Sequence, residues 1–180
     1  VITIIFDTET TGLIKNAAKP LSMQPSIIEF GGIKVDEELN EIDRINFMVN
    51  PRVPLPPIIT KITGITKDDL RDAKPFSHHF DALVGFFKGC ERMIAHNLPF
   101  DRNMMLFELK RMGAEYRFPW PSIHTCTAEN GKSLFNGKYT KLEKMYEHFY
   151  NKDPKQTHRA VGDCEILLDV ARALNKEGVL

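Results

Sequence analysis

Apolar and polar residues follow two rhythms along this chain, period two and period three to four, and together they predict an alternation of strands and helices. Val1 to Phe6 is a β-branched and aromatic run that reads as a strand, with Thr10-Thr11-Gly12 as the turn behind it, which predicts Asp7 and Glu9 at the strand's end. Ile27 to Val35 and Arg44 to Val49 read as two further strands joined by a polar hairpin turn at Asp36 to Asn40. The proline-rich stretch Pro51 to Pro57 can be neither helix nor central strand, and Ile58 to Thr66 is expected to lie across the sheet's end.

Beyond it the period lengthens. Phe76, Phe80, Leu83, Val84 and Phe87 recur at three- and four-residue spacing, which predicts a helix with one buried face over 75–88. Arg92 to Ala95 reads as a short strand, and Pro99 fits the first turn of a helix with Met105, Leu109 and Met112 inward and Gly113 at its end. Ser122 to Thr127 reads as a last strand, followed by helices over 141–150 and 159–175. In the last helix Asp163, Leu167, Val170 and Leu174 share one stripe, so a carboxylate heads an apolar face. A carboxylate there needs a partner, because an unpaired charge in low dielectric costs several kcal/mol. Five strands and several helices in this order predict an α/β class with a mixed five-stranded sheet flanked by helices, and a length of 180 residues predicts a single domain over 1–180.

Composition changes this picture little: 42% hydrophobic and 27% charged residues exclude a disordered or fibrous chain. Cys90, Cys126 and Cys164 are odd in number, widely spaced and without a CxxC pairing, which argues against disulfides and a zinc site and fits a reducing cytoplasm. Val1 to Phe6 is too short to span a bilayer and lacks the basic flank of a signal peptide, so no membrane partner is expected. The chain opens on valine without an initiator Met, which reads as the trimmed end of something longer. The formal net charge is zero, yet Arg102 to Arg159 holds eleven Lys or Arg against six Asp or Glu, so a basic rim around an acidic centre competes with plain solvated helix faces.

The candidate chemistry lies in Asp7, Glu9, Asp101, His158 and Asp163. Hard cations such as Mg²⁺ and Mn²⁺ take oxygen ligands, and a pair of them about 3.5–4 Å apart stabilises both the attacking and the leaving oxygen of a phosphoryl displacement. Singly each residue has a plainer reading: Asp101 as a charge on a helix N-terminus, His158 as a loop histidine. Together the runs Phe-Asp-Thr-Glu-Thr-Thr-Gly-Leu (6–13), Ala-His-Asn-Leu-Pro-Phe-Asp (95–101) and His158-x-Ala160-x-x-Asp163 resemble the DnaQ-like exonucleases of the ribonuclease H-like superfamily, in the DEDDh branch. The sister branch has a tyrosine four residues before the last Asp, where this chain has Arg159.

The resemblance implies a ribonuclease H-like fold and 3′-to-5′ exonucleolysis releasing nucleoside 5′-monophosphates, with two Mg²⁺ or Mn²⁺ held by Asp7, Glu9, Asp101 and Asp163 and with His158 as general base. An unperturbed histidine pKa of about 6.5 suits that role, and the polar segment Asn151 to Thr157 is expected to be a loop on which His158 closes. It also implies substrate contacts from Thr10, Gly12 and Leu13, and from Ile62 and Thr63, where the family's His-Gly-Ile becomes Thr63-Gly64-Ile65. His96 and Asn97 could orient the site or be structural. His78, His79, His124 and His148 have no ligand spacing, and Trp120 between two prolines reads as a loop anchor.

Single-stranded nucleic acid is the expected substrate, DNA favoured over RNA through similarity to the proofreading epsilon-like group, with a DNA polymerase or replication protein as possible partner. RNA 3′-end trimming, a silent nucleic-acid-binding module, and a phosphatase with an aspartyl nucleophile are the competing readings.

Overall fold

The computed structural model describes residues 1–180. Strand β1 (Thr3–Thr10) runs through the middle of a five-stranded sheet of order β3-β2-β1-β4-β5, where β2 is Ile27–Val35, β3 is Glu41–Met48, β4 is Arg92–Ala95 and β5 is Ile123–Cys126. The β1–β2 and β2–β3 pairs are antiparallel, and β1–β4 and β4–β5 are parallel, so the sheet is mixed as the pattern predicts. β2 and β4 match their predicted bounds. β1 does not stop at Phe6: Asp7 to Thr10 pair with Gly31 to Ile27, with a register shift at Glu9/Thr10, so the two acids lie within the strand. Threonines 8 and 10 are β-branched too, and a neighbouring strand to pair with decides where the strand ends.

Strand alternation sends β1's side chains to two cores. Ile4 and Phe6 pack with Leu83, Phe87, Met104, Met105 and Leu109, under α3 (Phe80–Phe87) and α4 (Leu98–Arg111). Ile5 packs with Ile33, Met145, Leu167, Val170 and Leu174, under α6 (Leu142–Tyr150) and α7 (Ala160–Lys176). The stripe predicted for α7 is buried throughout, Asp163 included. In α4, Met105 and Leu109 are buried, Met112 lies just past the helix end, and Gly113 in the left-handed region (φ +64°) closes it.

The region predicted as one helix over 75–88 is a 3-10 turn (Phe76–His79) running into α3. The passage across the sheet's end forms α1 (Pro57–Thr63) and α2 (Lys67–Arg71). α2 is five residues closed by a capping box between Thr66 and Asp69, and α5 (Thr127–Asn130) is four. Neither is long enough to show a helical period. Trp120 packs edge-on against Phe87 and tilted against Phe118, with the Arg102 guanidinium over its ring, an anchor as expected. The three cysteines are free, and no helix is long and apolar enough to cross a membrane.

Candidate active site

Asp7 and Glu9 are two apart on β1 and share the face turned to α7, while Thr8 between them turns to α4. Asp163 stands in the first turn of α7. The sequence folds this way because Gly31 on β2 lets the helix come in: a Cβ there would stand 2.5 Å from Ala160 C and Val161 N, so any larger residue would push the helix start off the sheet. The carboxylate oxygens of Asp7, Glu9 and Asp163 converge to within 4.8 Å of one another.

Asp101 arrives from the other face, in the first turn of α4, and stands outside that triad. Its Oδ1 accepts hydrogen bonds from Thr8 N (3.0 Å) and Thr8 Oγ1 (2.8 Å), which tie α4 to the strand segment between the two acids. The charges still meet through Asp7. Burial raises the Asp7 carboxyl well above its ordinary value, and among its neighbours Asp101 adds most, then Glu9 and Asp163. Asp7 is therefore the member of the triad that also feels the charge of Asp101 most strongly among its neighbours. Burial, helped by Asp163, pushes Glu9 up to about 8, and burial lifts Asp101 to about 7 against its Thr8 hydrogen bonds. Asp163 is also raised by burial.

Four acids that all resist ionisation describe a site built for a cation, since a bound divalent ion removes the penalty on each of them. An atom-level observation agrees: Asp163 Oδ2 accepts from Gln156 Nε2 at 2.9 Å, but Asp163 Oδ1 is buried with no partner. A buried, unpartnered carboxylate oxygen beside two other carboxylates, with no thiol or imidazole in the group, fits a hard cation such as Mg²⁺ or Mn²⁺.

His158 lies outside the triad, exposed, on the irregular segment before α7, with its backbone in the left-handed region (φ +51°). His96, at the end of β4, is mostly enclosed. Its Nδ1 is 3.0 Å from Thr127 Oγ1, its Nε2 is buried without a partner, and burial lowers its pKa to about 4, so the ring is neutral at pH 7. Asn97 is exposed in the left-handed region (φ +69°) at the cap of α4.

Of the expected substrate contacts, Leu13 is 79% exposed, a large apolar side chain presented to solvent just past the acids. Thr10 Oγ1 donates to the Gly12 carbonyl at 2.7 Å and shapes that corner. Gly12 is needed neither for a left-handed backbone nor to relieve crowding, because a Cβ there would meet nothing; the space beside it is open. Ile62 is exposed, whereas Thr63 is only 5% exposed and donates to Ile59 O (2.9 Å) while accepting from Ile65 N (3.1 Å). Thr63 thus closes α1 with its hydroxyl turned into the chain.

The basic rim is also thinner than the count of eleven suggests. Arg111, Lys132, Lys144 and Arg159 are ion-paired and Arg102, Arg117 and Lys152 lie over aromatic rings, so most of these charges already have a partner within the chain. One functional neighbour has no counterpart in the sequence motifs: Glu29, fully buried on β2 and directly opposite Glu9. Its Oε2 accepts from Arg159 Nη2 (2.6 Å) and Nε (2.8 Å), and its Oε1 from Ala160 N (2.7 Å). The available signal was a lone acid inside the apolar run Ile27-Ile28-Glu29-Phe30.

An acidic cluster fit for a hard cation, on the central strand of a mixed sheet and completed by two helix N-termini, defines a metal-supported phosphodiesterase type of site. The Exonuclease family (RNase_T) matches residues 4–171, and the chain belongs to that family. It is 29% identical over 168 residues to DNA polymerase III subunit epsilon of Pasteurella multocida (strain Pm70), covering 93% of this chain and 65% of the relative. Against the same subunit of Haemophilus influenzae the identity is 28%, over 93% of this chain and 64% of the relative. The chain thus spans just under two thirds of these relatives. Among solved structures, the nuclease domain of 3′hExo, a DEDDh family member bound to rAMP, superposes with a TM-score of 0.79 at 18% identity, covering 99% of this chain and 93% of that one. That likeness shows the fold, and the ribonuclease H-like architecture expected from the sequence is borne out.

Proposed function

We propose that this chain is a 3′-to-5′ exonuclease that hydrolyses the terminal phosphodiester bond of single-stranded DNA and releases nucleoside 5′-monophosphates. The observation that carries the reading is the convergence of Asp7, Glu9 and Asp163 around a buried, unpartnered Asp163 oxygen. Asp7, Glu9 and Asp163, whose oxygens converge, and Asp101, held against the same strand by Thr8, would hold two Mg²⁺ or Mn²⁺. Such ions, when bound, make water a nucleophile at neutral pH and stabilise charge on the attacking and leaving oxygens.

The protein's own residues do the rest. His158, exposed before α7 and near enough for its charge to act on Asp163, takes the water's proton as its loop closes on substrate. Leu13 packs against the terminal base with Ile62 on the exposed face of α1, and the open space at Gly12 admits the sugar. His96, neutral and enclosed, and Asn97 at the cap of α4 shape the wall beside Asp101. The preference for DNA is supported by the DNA polymerase III relatives, and a replicative polymerase is the partner they suggest.

The test is Mn²⁺-dependent digestion of matched 5′-labelled single-stranded DNA and RNA, with a His158→Ala control and a 3′-phosphate-blocked strand. A ladder shrinking from the free 3′ end, faster on DNA, is the expected result. Faster loss of RNA would overturn the substrate assignment, and no cleavage of either by folded, metal-loaded protein would overturn the activity.

A further inference from the structure

The start of α7 is held unusually hard for a helix that follows a loop. Glu29, with no exposed surface, uses one carboxylate oxygen on the Ala160 amide and the other on the Arg159 guanidinium. Two residues along β2, Gly31 receives the backbone of Ala160 and Val161 in close contact, and its carbonyl accepts from Cys164 Sγ at 3.3 Å. The Asp163 amide in turn donates to the Arg159 carbonyl at 2.9 Å. Residues 159 and 160 are therefore a fixed point of the sheet.

Immediately before that point the chain is irregular, tied to α7 by the side chain of Gln156, whose Nε2 donates to Asp163 Oδ2 at 2.9 Å. Asn151 to Arg159 contains no helix or strand, Lys155 and His158 both adopt left-handed backbone (φ +53° and +51°), and the His158 ring makes no hydrogen bond. The reach of His158 is set where the irregular segment meets the fixed one, one peptide bond from Arg159.

We propose that the buried Glu29–Arg159 pair is a positioning device for His158: it fixes the pivot about which the loop closes, so that the imidazole meets the attacking water at one place. This rests on the assignment of His158 as general base. Arg159 touches neither substrate nor cation in this role; it acts through its neighbour. A helix start freed to shift would leave the triad assembled but displace the base, and a misplacement of about 1 Å costs on the order of 10²-fold in rate.

The experiment measures kcat and KM on a single-stranded oligonucleotide, in saturating Mn²⁺, for Arg159→Met, Arg159→Lys and Glu29→Gln, each alone and combined with His158→Ala. A melting curve for each confirms that it is folded at the assay temperature. Glu29→Gln keeps the shape and an acceptor for Ala160, and so remains informative where Arg159→Met is unstable. The expected result is a loss of about 10- to 10²-fold in kcat with KM nearly constant, partial recovery in Arg159→Lys, and almost no further loss in the His158→Ala background. Loss by the same factor in both backgrounds would show that the pair acts on the fold or the metal site, and would overturn the proposal. A change in KM alone would also overturn it by making Arg159 a substrate contact. Were His158→Ala itself as fast as the native protein, the base assignment would fall and the proposal with it, an outcome distinct from the other two.

Discussion

Glu9 and Glu29 face each other across the β1–β2 ladder, the same residue type at paired positions, and the fold treats them in opposite ways. Glu29 is sealed from solvent and receives three hydrogen bonds, two of them from a guanidinium. Glu9 is half-buried, accepts no hydrogen bond, and is pushed up to about 8 by burial and by the charge of Asp163 and Glu29. The Arg159 guanidinium is hydrogen-bonded to Glu29, whereas it reaches Glu9 only through space, as the smallest of the influences on that carboxyl and opposed by burial and the neighbouring acids. The difference separates a structural carboxylate from a ligand: where the chain could have neutralised Glu9, Asp7 and Asp163 with its own cations, it instead brought them to within 4.8 Å of each other.

The contrast is broken most severely by removing the central acid. Asp7→Ala should lower exonuclease turnover by on the order of 10⁴ or more, since it removes a ligand shared by charges worth several kcal/mol at about tenfold per 1.4 kcal/mol. Single-turnover assays at saturating Mn²⁺ would read it. His158→Ala should reduce the rate by about 10²–10⁴ while leaving Mn²⁺ affinity unchanged by calorimetric titration. Equal loss of metal binding in the two variants would erase the division between ligand and base.

On the structural side, Arg159→Met leaves Glu29 charged, buried and without its cation. Breaking a buried pair this way costs about 3–5 kcal/mol, and since the guanidinium is itself about a third exposed, a loss near 2–4 kcal/mol is expected by urea unfolding. No measurable loss would mean that the Glu29–Arg159 pair does not hold the fold together and that the contrast with Glu9 is false.

A subtler effect is the pH dependence of the metal-free protein. Glu9 and Asp101 have folded-state values of about 8 and about 7, raised above their ordinary carboxylate range, so the folded state keeps protons that the unfolded chain has released. Their contribution to stability is complete below about pH 4 and is lost as pH rises through 7 to 8. In EDTA the melting temperature should therefore fall between pH 5 and pH 8.5. The rise on adding Mn²⁺ should be larger at the upper end, by several degrees at about 2–4 °C per kcal/mol. A Mn²⁺ effect independent of pH would contradict the link between burial of these acids and cation binding.

Much of this was legible in the chain. β2 and β4 are set by apolar runs between strong turn signals, and α7 by a stripe that begins with a charged residue, so both the sheet and the place of Asp163 follow from periodicity. The five candidate residues stand out because their spacing is specific as a set. Illegible were features decided by distant pairing: β1 continues past Phe6 because β2 lies beside it, and α2 and α5 are too short to have a period. Glu29 escaped because a single acid in an apolar strand carries no spacing, and its partner lies 130 residues away. Thr63 read as a ligand contact from its place in a motif, while its hydroxyl closes a helix, a role set by Ile59 and Ile65.

The most direct test of the contrast is the melting temperature of Glu9→Gln and Glu29→Gln in EDTA at pH 8, and again with Mn²⁺. Glu9→Gln is expected to melt above the native protein in EDTA, relieved of a crowded charge, and to lose most of the rise on adding Mn²⁺. Glu29→Gln is expected to melt below the native protein in EDTA and to keep that rise. A Glu9→Gln protein that is destabilised in EDTA and still stabilised by Mn²⁺ would contradict the assignment of Glu9 as a carboxylate left unpaired for a cation.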